Sequence, residues 1–279
     1  MVGAPLTILG DVGLLSGSVR HDGNVRISGH VAAGYVVEAT GDILVVGDLQ
    51  GGQLVAGGDV TVRGIVSGPD ALIDAIGRVR VRQAADTRIL AGGDLHIETA
   101  AERCELAAGG RIRLTGAPGA LRGGKARATT WIEAKRLECS GGQPAEVGVG
   151  GTPFDDSRDQ IAMRLKFAEK QAGATTRSEN ETVAEYRRRI TTLRAYRHLQ
   201  KALERRLAQI EKADATRGVP CVTMHGDAPA EAVLRMADSP DTLHLRREDP
   251  VASFTAVVED GEIVIRSLNQ NRKETIRVG

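Results

Sequence analysis

Two histidines are the residues of this sequence best suited to acid–base chemistry. His30 follows Gly29, and His96 lies between Leu95 and Ile97. A histidine can act as the general base that deprotonates an acceptor hydroxyl or amine during acyl transfer. Such a base works in a cleft, commonly beside an inserted loop, and neither histidine lies near a long insertion. The sequence therefore favours solvated surface histidines and predicts no catalytic residue.

Three aspartates occupy one equivalent position, directly after a glycine: Asp42, Asp59 and Asp94. Paired carboxylates can cleave a glycosidic bond, and a row of carboxylates can bridge calcium ions. Cleavage needs two carboxylates that face each other across a cleft, whereas equivalent positions in successive repeats form a ladder. We expect each aspartate instead to accept hydrogen bonds from backbone amides at a corner of the chain.

The sequence has no spacing typical of a metal or nucleotide site. His225 and His244 lie far from any cysteine pair, so the common zinc patterns are excluded. Residues 116–125 are rich in glycine but lack the spacing of a phosphate-binding loop, and they are predicted to form an ordinary loop. We therefore predict no metal, no cofactor and no small-molecule substrate.

The candidate histidines and aspartates lie in a part of the sequence with a repeated pattern. Each copy has a glycine, one or two further residues, and then two aliphatic residues separated by one residue of any type. Six copies begin at Gly23, Gly41, Gly58, Gly77, Gly93 and Gly110, which are 16 to 19 residues apart. Aliphatic residues also recur at every sixth position from Val19 to Val55. Three six-residue sides make one coil, and stacked coils pair their strands about 4.8 Å apart. The sequence therefore predicts a three-sided parallel β-helix over residues 1–153.

The composition agrees with a narrow aliphatic bore. Aromatic residues are 3% of the chain, and 34 of its 279 residues are glycines. A narrow bore admits small aliphatic side chains but few rings, and glycine tolerates the positive φ of a tight corner. The predicted inward residues include Val25, Ile43, Val60, Val79, Leu95 and Ile112. An all-β sandwich is the alternative fold; right-handed winding of the β-helix is favoured, although the repeat itself does not fix the hand.

Residues 154–218 are predicted to form an inserted α-helical coiled-coil hairpin. Between residues 157 and 213 there are one glycine and no proline. We expect a first helix over about residues 158–171 and a longer one over about 179–213, whose apolar residues recur at three- and four-residue spacing. The hairpin is expected to project from the solenoid and to bind partners, with one amphipathic helix packed on the solenoid as the alternative. The run Arg187–Arg189 is interpreted as a solvated charged face.

Strand-like segments return over residues 219–279, which are predicted to cap or complete the β-helix. The Asp260-Gly261 step predicts a hairpin turn, and the ring of Phe254 suits a terminal cap better than the bore. At the other end, residues 6–10 have the pattern of a first coil. We expect the C-terminal end to be covered and the N-terminal end to stay open for self-association or partner docking.

Charge is nearly balanced but unevenly distributed. The net charge of +1 excludes a globally basic nucleic-acid binder. Residues 1–102 hold 7 basic and 12 acidic side chains and residues 103–138 hold 8 and 3, which is compatible with head-to-tail contacts. No apolar stretch predicts a transmembrane segment, and the start lacks the features of a secretory signal. The widely spaced Cys104, Cys139 and Cys221 are expected to be inert thiols in a reducing cytoplasm.

Several stretches carry a family resemblance. Residues 56–65, 89–95 and 130–134 read AGGDVTVRGI, ILAGGDL and TWIEA. Their order, followed by the EVGVG run at residues 146–150 and a charged hairpin, resembles the FapA family of flagellar assembly protein A-like, polymer-forming proteins. The resemblance covers about residues 10–266.

The resemblance implies a bacterial, cytoplasmic β-helix scaffold, similar in architecture to bactofilins and without catalysis. Family members support the assembly or polar positioning of flagella and similar machines, which implies protein partners or self-association. Larger members carry a separate domain ahead of the β-helix, whereas the coils here begin almost at Met1. The alternative is an acyltransferase of the left-handed, hexapeptide-repeat class that uses His30 or His96.

Overall fold

The glycine repeats fold into the coils of a β-solenoid of about eight turns, to which one helix is attached. The computed structural model describes residues 4–151, 153–154, 161–162, 165–166, 169, 197, 200–212, 220–225, 231–236, 242–246, 253–259, 262–268 and 275–278. The strands before the helix are β1 (Leu6–Ile8), β2 (Val19–His21), β3 (Val25–Ile27), β4 (Val36–Ala39), β5 (Ile43–Val45), β6 (Leu49–Gln50), β7 (Gln53–Ala56), β8 (Val60–Ser67), β9 (Leu72–Ala75), β10 (Val79–Ala85), β11 (Arg88–Ala91), β12 (Leu95–Ile97), β13 (Ala100–Glu102), β14 (Glu105–Ala108), β15 (Arg111–Leu114), β16 (Ala120–Arg122), β17 (Lys125–Ala128), β18 (Trp131–Ala134), β19 (Arg136–Glu138) and β20 (Ala145–Val149). The strands after it are β21 (Cys221–Met224), β22 (Glu231–Met236), β23 (Thr242–Arg246), β24 (Phe254–Glu259), β25 (Glu262–Ser267) and β26 (Thr275–Val278). The helix, α1, spans residues 200–212, and helical backbone is also described at 161–162, 165–166, 169 and 197.

Successive coils stack through parallel ladders in register. The first ladder runs β1-β3-β5-β8-β10-β12-β15-β18-β21, and the second runs β2-β4-β7-β9-β11-β14-β17-β20-β22. A third, shorter ladder joins β6, the later residues of β8 and β10, β13, β16 and β19. In the first ladder Val25 pairs with Ile43, and Ile43 pairs with Val60. The coil-length period therefore places equivalent residues above one another, as the repeat predicts. The six-residue period does not reach Val55, because Val37 stacks on the buried Leu54 and Val55 pairs with Glu38.

The bore is aliphatic, and the predicted inward residues fill it. Val25, Ile43, Val60, Val79, Leu95 and Ile112 are each no more than 2% exposed. Among the described residues of this core, Phe254 is the one buried aromatic, and it pairs with Met224 on the last parallel strand of the first ladder. Small aliphatic side chains thus form a continuous core along the solenoid axis.

The repeated spacing of glycine and aspartate has a structural cause in the hydrogen bonds between coils. The Asp59 amide donates to Asp42 Oδ1 at 2.8 Å, and the Arg78 amide donates to Asp59 Oδ1 at 2.7 Å. Asp94 Oδ1 accepts in the same way from the Arg111 amide at 2.9 Å. The expectation that these carboxylates accept bonds from corner amides is confirmed. Each carboxylate therefore ties its own coil to the next.

Alanine at Gly58 is expected to destabilise the solenoid. A Cβ at this position would lie 2.1 Å from Asp42 Oδ1 and 3.0 Å from the Gly41 carbonyl carbon. Since the clash involves the bond between coils, Gly58→Ala should lower the free energy of unfolding by about 1–3 kcal/mol. Gly10→Ala is the matched control, because a Cβ at Gly10 has no atom within 4 Å. Urea unfolding of both variants measures the difference, and equal stability would contradict the explanation.

A second corner adopts left-handed backbone in successive coils, and two of these corners are not glycines. Gly68 has a φ of 107°, whereas Asp86 and Arg103 have φ values of 51° and 49°. Nε and Nη2 of Arg103 donate to the two carboxylate oxygens of Asp86, each at 2.7 Å. These hydrogen bonds hold the pKa of Asp86 below its ordinary value. The bidentate pair offsets the strain of left-handed φ at two stacked non-glycine residues.

After the helical segment the chain rejoins both ladders. β21 pairs with β18 and β22 pairs with β20, in each case parallel. Antiparallel strands follow: β24, β25 and β26 extend the first ladder, and β23 extends the second. Glu259 pairs with Glu262, as expected for strands joined by the Asp260-Gly261 step. The domain limits 1–153, 154–218 and 219–279 stay predictions.

Candidate assembly surface at the N-terminal coil

His30 serves the contact between coils. Its Nδ1 accepts a hydrogen bond from the Asp48 amide at 2.9 Å, as Asn24 Oδ1 does from the Asp42 amide at 2.8 Å. Because Nδ1 accepts from a backbone N–H, the histidine side chain occupies a structural position in the corner. A histidine and an asparagine can occupy similar corners because each has a side-chain atom that accepts a hydrogen bond from a backbone amide of the next coil.

His96 lies on the outer side of the first ladder, in register between Arg80 and Arg113. Partial burial, followed by these two guanidinium groups, lowers the pKa of His96, which favours the neutral ring. An open groove of about 490 Å³ follows the N-terminal coils and is lined by residues such as Arg26 and Thr61. Neither His30 nor His96 is among the residues that line this groove.

Two of the three cysteines have thiols of low reactivity at neutral pH. Burial raises the pKa of the Cys104 thiol to about 11 and also raises the pKa of Cys221. A raised pKa lowers the thiolate fraction at neutral pH, and the thiolate is the reactive form. Within the part of the chain that the structure describes, no three His, Cys, Asp or Glu side chains are grouped to hold a metal ion.

The helix α1 packs on the outer face of the second ladder. Leu203 and Ile210 are buried against Leu90 of β11 and Ala107 of β14, together with Phe154. This cluster is separate from the core of the bore. The described part of the predicted second helix therefore lies on the solenoid, and the projecting coiled-coil hairpin stays a prediction. Arg187–Arg189 and most of the other residues of that predicted hairpin fall outside the described residues.

Polar contacts fix α1 along the solenoid. Gln209 is fully buried and donates to the carboxylate of Asp74 and to the carbonyl oxygen of Ala75. Arg205 forms an ion pair with Glu38, two coils earlier than Asp74. The hydrogen bonds of Gln209 and the ion pair of Arg205 are made to coils that are two repeats apart. Together they fix both the position and the direction of α1 on the solenoid.

The basic residues of the segment 103–138 are largely paired with carboxylates of neighbouring coils. The pairs and their shortest N–O distances are Arg103–Asp86 at 2.7 Å, Arg113–Glu133 at 2.9 Å, Arg122–Glu138 at 2.7 Å and Lys125–Glu146 at 3.4 Å. The uneven charge of the sequence is therefore partly neutralised within the solenoid. The uneven distribution of charge therefore favours contact between molecules less than the numbers of basic and acidic residues in each segment predict.

Residues 4–19 form a surface that we call the N-terminal face. Within the described chain, β1 pairs only with β3, and β2 pairs only with β4. The side chains of Leu9, Leu14 and Leu15 are 86%, 89% and 102% exposed. Unpaired strand edges beside exposed leucines are the usual features of an association surface.

The N-terminal face is ordered and nearly uncharged. Asp11 is its one charged residue, and Asp11 Oδ1 already accepts a bond from the His30 amide at 2.7 Å. In the turn that carries Leu14 and Leu15, the Gly13 amide donates to Ser16 Oγ at 2.9 Å and the Gly17 amide donates to the Gly13 carbonyl at 2.8 Å. The turn therefore presents its two leucines in a defined position.

Sequence reasoning predicted an open N-terminal end but missed these leucines. The available signal was an adjacent leucine pair, outside the six-residue period, in a stretch with one charge. Gln209 was also missed, because a polar residue on a helix gives no sign that its amide will be buried.

The comparison with known families decides what this solenoid is. The model described as the Flagellar Assembly Protein A beta solenoid domain matches residues 5–220. The chain belongs to the FapA family. The match in this FapA protein begins just ahead of β1 and ends directly before β21, so it includes the coils and α1. The family resemblance read from the glycine repeats is confirmed.

Two further findings concern this FapA protein. No curated protein and no solved structure matches the chain. Among the described residues, no helix combines the length and the apolar character needed to cross a bilayer.

Proposed function

We propose that this FapA protein is a non-enzymatic cytoplasmic scaffold that supports the assembly or polar positioning of a bacterial machine such as the flagellum. The observation that carries the proposal is a FapA solenoid whose N-terminal face is apolar and has unpaired strand edges. His30 is engaged with the next coil, which favours a structural role over the acyltransferase alternative. Membership in a flagellar assembly family supports the scaffold role.

The proposed architecture is a right-handed, three-sided β-helix with a coiled-coil hairpin at residues 154–218. The three ladders support three sides. Helical backbone at 161–162, 165–166, 169 and 200–212, on both sides of the predicted turn, supports the hairpin. Strands β23 and β24–β26, which reverse direction, support a C-terminal segment that caps the solenoid.

The proposed partners are proteins, bound through the hairpin and the N-terminal face, or further copies of the chain. Deleting the gene in the bacterium that encodes it, and complementing with variants, tests this function. Motility and the number and position of flagella in electron micrographs are the readouts. A deletion strain with unchanged flagella would remove the flagellar proposal.

Replacing both candidate histidines is expected to leave complementation intact. His30→Asn keeps an oxygen acceptor for the Asp48 amide, as Asn24 does in its corner, and His96→Gln removes the second imidazole. A scaffold without catalysis should complement to the wild-type level, whereas an acyltransferase that uses either ring should lose at least about 100-fold in activity. Lost complementation at normal protein level and unchanged melting temperature would favour the enzyme.

A further inference from the structure

We propose that the N-terminal face binds the same face of a second copy of this chain and forms a closed, two-fold dimer. The inference rests on the scaffold function proposed above and names the partner of that surface. Three observations carry it: the near absence of charge on the face, the geometry of the strand edges, and the different structure of the opposite end.

The charge of the N-terminal face favours an identical partner. A two-fold axis brings the same patch of both copies together, so a face with charges of one sign would meet like charge. Within residues 4–19 the one charged residue is Asp11, whose carboxylate already accepts a bond from the His30 amide. Arg20 of β2 and Asp22, which follow in the first coil, contact Glu38 and Thr40 of the next coil. A strongly acidic or basic partner would therefore find little charge to pair with here. In a contact between two identical faces, exposed leucines of one copy pack against exposed leucines of the other without repulsion between like charges.

The strand edges also fit a two-fold arrangement. Each strand of the N-terminal face lacks a neighbour on one side within the described chain. Two identical edges related by a two-fold axis run antiparallel, and antiparallel edges form hydrogen bonds as readily as parallel ones. Pairing of β1 with β1 of the second copy would be centred on Thr7, the middle residue of the strand.

The opposite end of the solenoid does not offer the edge that head-to-tail stacking needs. The last parallel strands, β21 and β22, are already paired with the antiparallel strands β24 and β23. A parallel continuation from one copy to the next is thus blocked at the first and second ladders, and the third ladder ends at the three-residue strand β19. Association through one face that pairs with itself stops at two copies and does not form a filament.

The contact is large enough for a specific complex. Six leucines, three from each copy, contribute on the order of 600 Å² of apolar surface at about 100 Å² each. Leu6, Ile8 and Val19, which are only partly buried, lie beside them. With the strand edges, the buried surface reaches about 1,000 Å², which is the lower limit for a specific interface.

The oligomeric state of the full 279-residue chain tests the proposal. Light scattering coupled to size exclusion should give a dimer, and electron micrographs should show no filaments. The double variant Leu14→Asp/Leu15→Asp should raise the dimer dissociation constant at least 100-fold with little change in melting temperature, because both side chains are almost fully exposed. Leu268→Asp, at the other end of the chain and 43% exposed, is the matched control and should remain dimeric.

Crosslinking locates the interface independently of these variants. In a Cys139→Ser/Cys221→Ser background, Thr7→Cys should be linked between copies by a short bismaleimide. Thr242→Cys, an exposed position on β23, should not be linked. Each of four results would overturn the proposal: a strict monomer, filaments, a Leu14→Asp/Leu15→Asp protein that is still dimeric, or linkage between copies through Thr242→Cys. Complementation of the deletion strain measures the scaffold function separately. Failure of complementation would therefore count against the scaffold, whereas failure of the dimer experiments would count against the interface.

Discussion

The Val60→Asp variant is expected not to fold. Val60 is fully buried in the bore, between Ile43 and Val79 of the neighbouring coils. A carboxylate there would be enclosed by aliphatic side chains, and its burial should reduce the free energy of unfolding by on the order of 5 kcal/mol or more. Far-UV circular dichroism and the soluble yield of the purified protein are the measurements.

Thr61→Asp is the matched control for this variant. Thr61 is the next residue of β8 and lies in register with Arg80 on the outer side of the ladder. Because its side chain is only partly buried, the same substitution should change stability by about 0.5 kcal/mol or less. A folded Val60→Asp protein as stable as the Thr61→Asp control would contradict the assignment of the bore.

Ile210→Asp is expected to detach α1 while the solenoid stays folded. Ile210 is 1% exposed and belongs to the cluster between the helix and the second ladder. A buried carboxylate there should abolish docking, because that cluster is separate from the bore. Amide hydrogen exchange in residues 200–212 should rise about 100-fold, which corresponds to about 3 kcal/mol of lost local stability.

Ala202→Asp provides the comparison on the exposed side of the same helix. It introduces the same charge and a similar loss of helix propensity, so any effect shared by both variants is not due to docking. Exchange should stay close to wild type in Ala202→Asp. If Ile210→Asp left exchange unchanged, or melted the solenoid as a whole, the independent packing of α1 would be disproved.

The coils were predictable because their information is local and periodic. A glycine, an aspartate and two flanking aliphatic residues recur at coil length, so the bore and the aspartate bonds followed from spacing alone. The corners at Asp86 and Arg103 did not follow, because their left-handed backbone depends on an ion pair between coils rather than on glycine.

The contacts of α1 and the N-terminal face were harder to predict, for different reasons. The position of α1 depends on groups such as Asp74 that are distant in sequence from Gln209 and belong to no repeat. The exposure of Leu14 and Leu15 depends on a turn held by Ser16, outside the six-residue period. Periodicity predicts what repeats and gives no information about the residues that depart from it.

The path of α1 has a consequence for how the molecule unfolds. In a stack of repeats, each coil touches only its neighbours, so end coils can fray one at a time and the transition broadens. By contacting Glu38 of β4, Asp74 of β9 and Ala107 of β14, directly or through its cluster, α1 joins coils that do not touch one another. Fraying of any coil beneath the helix then breaks contacts shared with the others. These coils should melt as one cooperative unit, with a steeper transition than nearest-neighbour stacking allows.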